Sequence, residues 1–285
     1  MLVRSFRKIP PSLLLLVLFL AFFGWQLSQG TKHEDGQVSH EVIAQADTAA
    51  ETRGPRIALM TFVTEQRSYL HLSLKNKDHY ARRHGYDLIL DYESHTDRAV
   101  IFWKFNMAER LIKTRKYDWL WWLDFDTLIT NTDTKLEDII DEELRNATNP
   151  HQVDFLFTHD CNGFNAGSFL VRAHDRSLKF LRDSWKIHDD AKALEVHMSE
   201  QDSTVKLLKD DPQSAARVHV VPQWKLNAFP QEIACFDDER RAWEHGAFVL
   251  HFAGAWAHVK GDDPTGQLMK QYEHEIIWGD WKDFY

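Results

Sequence analysis

The chain has only two cysteines, Cys161 and Cys235, in 285 residues. Two thiols do not make a disulfide framework, so stability has to come from a buried core. Unpaired cysteines are the expectation, although an oxidising lumen would let the two pair. There is no excess of basic charge either. The formal net charge is -9, with no stripe of Lys and Arg interleaved with aromatics, which argues against nucleic acid as a partner. No G-x-G-x-x-G and no Walker loop is present, so no glycine-rich turn is available to cradle a phosphate. The sixteen histidines are scattered, where a two-metal phosphoesterase would gather them with Asp. After the apolar run near the N-terminus no small-x-small cleavage site follows, because Trp25, Gln26 and Leu27 occupy its place.

What is there begins with that run. Arg4, Arg7 and Lys8 precede Ile9–Leu27, whose stretch from Leu13 to Trp25 is almost wholly apolar. Its length fits either a signal-peptide h-region or a short membrane span; the missing cleavage site favours the span, with a cytosolic tail over 1–8, an uncleaved anchor over 9–27 and a luminal remainder. Its short length suits the thinner membranes of the early secretory route. Residues 28–53 are polar and aperiodic, the composition of a stem. Order is expected to resume at Gly54-Pro55 and continue to 285 as a single domain. Eleven tryptophans are unusual. Most are expected in the core, with a few left as flat platforms for sugar rings.

The most informative stretch is Tyr117–Asn131, YDWLWWLDFDTLITN. Trp119 to Leu123 is the continuous apolar run of a strand buried on both faces. Asp124 and Asp126 arrive where that strand should leave the core. If the strand continues, the two carboxylates share one face and converge. Two hard oxygen donors at a sheet edge suit Mn²⁺ or Mg²⁺. The same residues also read as a plain Asx-rich turn, with Thr127 and Asn131 capping the next element. Upstream, strands are expected over 56–64 and 86–92 and helices over 65–84 and 98–116, the first helix ending at Gly85. This β-α-β-α-β order predicts an α/β, Rossmann-like half with parallel strands.

Downstream, a strand over 153–157 leads to Asn162-Gly163-Phe164-Asn165-Ala166-Gly167-Ser168. Dense amides and small residues fit either a loop that reads sugar hydroxyls or a tight turn between strands. Glu200-Gln201-Asp202 reads on its own as a helix N-terminus complementing the dipole. Strands are expected over 218–221 and 248–254, the latter ending in His251, a lone histidine that becomes a candidate metal ligand once paired with the acidic couple.

In this order the motifs resemble the fungal and plant glycosyltransferase family 34, which contains α-1,2-galactosyltransferases, Golgi α-1,6-mannosyltransferases and xyloglucan xylosyltransferases. The resemblance is carried by WLWWLDFDTLITN at 119–131, NGFNAGSFLVR at 162–172, EQD at 200–202 and VLHFAG at 249–254. The weaker VPQWKLNAFP at 221–230 adds to it, and the whole spans roughly 54–260. It implies a GT-A fold with a mixed central sheet and a single-pass type II protein of the Golgi membrane. It also implies a nucleotide-sugar donor held through Mn²⁺ and a glycan or glycoprotein acceptor; homo- or hetero-oligomers are allowed. By the same resemblance Asp124, Asp126 and His251 hold the metal. Gln201 and Asp202 lie near the anomeric carbon, and Asn162, Asn165 and Gly167 belong to the sugar loop.

One departure concerns the phosphates. Where relatives often read H-F-x-G-C, with a lysine next in the plant members, this chain has His251-Phe252-Ala253-Gly254-Ala255-Trp256, and Lys260 follows only later. Lys260 and Lys104 are the expected cations for a diphosphate that one Mn²⁺ does not neutralise. The implied reaction is α-retaining transfer of a hexose from GDP-mannose or UDP-galactose. The alternative is a glycan-binding or scaffolding subunit of a Golgi mannosyltransferase complex.

Overall fold

The computed structural model describes residues 54–280 and residue 282, so the expected tail, anchor and stem lie outside the described residues. The chain divides into a unit ending at Arg53 and a unit from Gly54 to Tyr285. Among the described residues no helix is long and apolar enough to cross a membrane.

A six-stranded sheet forms the centre, in the order β2-β1-β3-β6-β5-β7. Its strands are β1 (Ile57–Phe62), β2 (Asp87–Asp91), β3 (Trp119–Leu123), β5 (Phe155–Asp160), β6 (Gly163–Arg172) and β7 (Val218–Val221). The three N-terminal strands pair in parallel, as their β-α-β-α-β order predicts. Strand β6 runs antiparallel to both neighbours, and β7 is again parallel to β5, so the sheet is mixed. A second, two-stranded sheet pairs β4 (Thr127–Ile129) with β8 (Val249–His251).

Five helices cover the faces: α1 (Leu70–His84), α2 (Trp103–Lys113), α3 (Leu136–Asn146), α4 (Asp175–Ala193) and α5 (Glu200–Asp210). Strand β3 shows how the sequence sorts them. Every residue from Trp119 to Leu123 is buried, and the two-residue side-chain period divides them between faces. Leu120 and Trp122 pack with Phe105, Ala108 and Ile112 of α2 and with Leu178, Leu181 and Trp185 of α4. Trp119, Trp121 and Leu123 pack with Tyr80 and Ala81 of α1 and Leu136, Ile139 and Ile140 of α3. Burying each such side chain stabilises the fold by roughly 1.5–3 kcal/mol. Truncating the fully buried Trp121 to Ala is expected to cost about 3–5 kcal/mol.

Helix α1 ends where expected: Gly85, at φ 70°, adopts the left-handed conformation, and its N–H caps Ala81 and Arg82 carbonyls. Two expectations need correction, and one helix carried no expectation at all. The stretch 163–168 is strand, not loop; only the step from Asp160 to Gly163 turns, and β6 lies between β3 and β5. Helix α4, which no local signal announces, supplies most of one covering layer. Cys161 and Cys235 form a disulfide, their Cα atoms 4.7 Å apart, because the β5–β6 turn brings Cys161 against the segment that follows the helical turn Gln223–Leu226.

Candidate functional site

Helices run from β1 to β2 on one side and then to β3 on the other, so strand order reverses between β1 and β3. Open α/β sheets bind ligands in the crevice outside the strand ends at such a point. Here it holds a cavity of about 410 Å³, whose lining includes Phe62 at the end of β1 and Thr64 beyond it, Lys104 of α2, Trp122 and Asp124 at the end of β3, and Glu200 of α5.

Asp124 and Asp126 do meet at this mouth, but not on one face of a continuing strand. Strand β3 stops at Leu123, and Asp124, Phe125 and Asp126 form a turn into β4. The Asp124 N–H donates to the Gly167 carbonyl at 2.7 Å, and the Thr127 hydroxyl donates to the Asp124 carbonyl at 2.6 Å. His251 comes from β8, in register with Thr127 of β4. Only 2 % of it is exposed, and its Nε2 faces Asp126 Oδ1 at 3.4 Å. One ligand atom from each of Asp124, Asp126 and His251 lies within 4.8 Å of the others. Two carboxylates and an imidazole make the hard, mixed oxygen–nitrogen set that Mn²⁺ accepts, so the residues fit that ion.

Burial pushes the Asp124 carboxyl up, against the pull of the Lys104 ammonium. Asp126 is part-buried, and desolvation pushes its carboxyl up too, but attraction to a charged His251 and to Lys77 prevails and leaves it below the usual range. Lys104 sits at the centre of the charge network. It is buried and reaches Asp124 Oδ1 at 3.4 Å, Glu200 Oε1 at 3.1 Å and the Ala166 carbonyl at 3.1 Å. Desolvation works against its charge, yet the two carboxylates prevail and its pKa rises. Glu200 is a residue that sequence reasoning passed over as part of a helix start; its burial beside Lys104 makes it part of the site.

The residues expected near the anomeric carbon and in the sugar loop divide. Gln201 accepts from the Ala166 N–H at 2.8 Å, which holds α5 against β6 at the cavity. Asp202 is exposed and closes a capping box with Ser199, whose N–H and hydroxyl hold its carboxylate below the usual range. Asn162 stands in the exposed β5–β6 turn. Asn165 is buried, and its amide bonds protein groups on every side: Asp160, the Gly167 N–H and Asn227. Gly167 leaves room for a ring, since a Cβ there would sit 2.1 Å from Cε1 of His251. Lys260 is exposed beyond the turn 255–258 and is not among the residues lining the cavity.

Behind the acidic turn, α1 presents a polar face that no hydrophobic pattern reveals. Ser73 Oγ donates to the Phe125 carbonyl at 2.6 Å, and Lys77 Nζ to the Thr127 carbonyl at 3.0 Å. Asn76 exchanges two bonds with Ile129, at 2.7 and 2.9 Å. All three side chains are fully buried. The i, i+3, i+4 spacing was the available signal, but in HLSLKNKD it reads as a solvated face.

Residues 55–147 and 141–261 match the galactosyl transferase GMA12/MNN10 family. The chain is 31% identical over 188 residues to the probable α-1,6-mannosyltransferase MNN10 of Saccharomyces cerevisiae, covering 56% of this chain and 47% of that protein. It is 29% identical over 233 residues to the probable α-1,2-galactosyltransferase gmh1 of Schizosaccharomyces pombe, covering 71% and 67%. It is 28% identical over 214 residues to the probable xyloglucan 6-xylosyltransferase 5 of Arabidopsis thaliana, covering 65% and 46%. The chain thus spans from about half to two thirds of these relatives' lengths. A solved glycosyltransferase involved in glycosylation of the major capsid of PBCV-1 superposes with a TM-score of 0.56 at 16% identity, over 76% of this chain and all of that one. That likeness supports the fold alone, and with it the expected GT-A arrangement of a mixed α/β sheet. The matched residues cover most of the chain from Pro55 to Gly261, and the chain belongs to the galactosyl transferase GMA12/MNN10 family.

Proposed function

We propose that this chain is an α-retaining glycosyltransferase. It moves a hexose from a nucleotide sugar, GDP-mannose or UDP-galactose, to a hydroxyl of a glycan or glycoprotein acceptor at the Golgi membrane. The convergence of Asp124, Asp126 and His251 at the cavity mouth carries this reading. Mn²⁺ held there supplies Lewis-acid stabilisation to the departing diphosphate. The chain's own residues do the rest. Lys104 provides a buried positive charge beside Asp124, and the cavity between β1 and β3 has space for the nucleotide. In the transfer the acceptor oxygen bonds to the anomeric carbon as the bond from that carbon to the diphosphate oxygen breaks. The hydroxyl proton passes to the leaving diphosphate. A double displacement would need a free carboxylate beneath the ring. Glu200 is paired with Lys104 and Asp202 is held in its capping box, which favours the same-face route. The membrane anchor and its orientation belong to this proposal through residues 9–27 and their basic flank.

The test offers the full chain each donor with an oligomannose acceptor, with Mn²⁺ or with excess chelator. Product is expected only with metal, and Asp126→Ala is expected to lower transfer at least about 100-fold. Undiminished transfer in chelator refutes the metal reading. Failure with both donors refutes the donor assignment.

A further inference from the structure

The ring of His251 is held by a chain of hydrogen bonds whose polarity can be worked out link by link. It starts from the Gly167 N–H, a backbone donor that requires an acceptor. It meets the Asn165 side chain at 2.8 Å, so the atom there is Oδ1. The opposite end of that amide is then Nδ2, and it faces the Asp160 carboxylate at 2.8 Å, as a donor should. Asn165 Oδ1 also meets Asn227 at 2.9 Å, so Asn227 presents Nδ2. The same Nδ2 reaches the Thr158 hydroxyl at 3.0 Å. That leaves Asn227 Oδ1 against His251 Nδ1 at 2.8 Å. An amide oxygen only accepts, so Nδ1 carries the proton. With Nδ1 fixed as the donor, the ring atom that faces Asp126 is Nε2, the one that holds the lone pair whenever the ring is neutral, as a metal ligand must be.

We propose that Asn227 is the positioning residue of the metal site, fixing the tautomer and rotation of His251 so that Nε2 is always the free ligand atom. Asn227 and Thr158 are fully buried, so water does not replace these bonds. The chain beyond Asn227 runs to the β5–β6 hairpin, where Asp160 also receives the Asn162 N–H at 2.7 Å beside the disulfide. Groups bonded to the far nitrogen of a metal-bound histidine typically affect affinity about 10- to 100-fold. The inference rests on the metal reading of Asp124, Asp126 and His251.

The test has two independent readouts on the full chain. Nitrogen-15 NMR of the metal-free protein, with His251→Gln to assign the ring among sixteen histidines, reads the tautomer directly. Recorded at a pH where the ring is neutral, wild type is expected to show a protonated Nδ1 and an unprotonated Nε2; the opposite tautomer overturns the proposal without any variant. Calorimetric titration with Mn²⁺ then compares wild type, Asp126→Ala and Asn227→Leu. Asn227→Leu is expected to bind Mn²⁺ about 10- to 100-fold more weakly. Asn227→Asp keeps an oxygen against Nδ1, so it is expected to retain the tautomer. A folded Asn227→Leu with wild-type Mn²⁺ affinity overturns the proposal. If Asn227→Leu does not fold, the wild-type tautomer and that of Asn227→Asp decide. If wild type shows no Mn²⁺ binding that Asp126→Ala removes, the metal reading fails, while the tautomer result stands separately.

Discussion

Gly167→Ala adds a single methyl group at the point where β6 passes the imidazole. An ideal Cβ there lies 2.1 Å from His251 Cε1, 2.7 Å from its Nδ1 and 3.0 Å from Asn165 Oδ1. Carbon atoms pack at about 3.5–4.0 Å, so the closest approach is short by roughly 1.5 Å. The ring cannot simply give way, since Asn227 holds its Nδ1 and Phe229 packs edge-on with centroids 5.4 Å apart. Either the ring swings away from Asp126, or β6 retreats and strains the Asp124 N–H bond to the Gly167 carbonyl. Both routes displace a metal ligand by on the order of 1 Å, a misplacement that costs about 10²-fold in rate. Overpacking adds about 1–3 kcal/mol of destabilisation, a Tm lower by roughly 2–12 °C for a domain of this size. The assay is Mn²⁺-dependent transfer and thermal unfolding of Gly167→Ala beside Gly54→Ala, where a Cβ meets nothing within 4 Å. Transfer and Mn²⁺ affinity within about threefold of wild type for Gly167→Ala would refute the steric argument.

Removing the Lys104 ammonium by Lys104→Met leaves the buried Glu200 and the part-buried Asp124 without their cation, a loss of about 3–5 kcal/mol in urea unfolding. Adding Glu200→Gln is expected to restore part of that stability but not transfer; full recovery of transfer would remove Lys104 from the site. Lys77 gives a pH signature. Burial lowers its pKa to about 7, against the pull of Asp126 and Asp124, while the unfolded value is about 10.4. Between those values the unfolded chain binds more protons, so this lysine makes stability rise with pH from about 7 to 10. Lys77→Met is expected to flatten that rise in Tm, and an unchanged slope would show that the lysine does not titrate there.

The parts of the fold that were legible are those written in contiguous residues. The run Trp119–Leu123 carries its own burial, and the following Asp124 and Asp126 stand out against it. The end of α1 is written in Gly85. Strand β6 was hidden because its residues satisfy demands from outside the strand. Gly167 makes room for His251, and Asn165 serves Asn227 and Asp160, so the segment looks like a turn. The role of Asn227 depends on Asn165 and His251, 62 and 24 residues away in sequence. The Cys161–Cys235 pair is separated by 74 residues, and nothing local to either thiol indicates the other. Ser73, Asn76 and Lys77 look like a solvated helix face because their partners are backbone carbonyls of a distant turn.

The disulfide also divides the site topologically. The covalent ring it closes, residues 161–235, contains Asn165, Gly167, Glu200, Gln201 and Asn227, while Lys104, Asp124, Asp126 and His251 lie on the open chain outside. Closing a loop of that length restricts the unfolded chain by about 4–5 kcal/mol in the chain-entropy treatment. Because the chain holds only these two cysteines, one intramolecular connectivity exists. Oxidation therefore has no wrong isomer to trap within a single molecule. The misfolding route left to the thiols is between molecules, as disulfide-linked dimers that form when two unfolded chains meet before either ring closes.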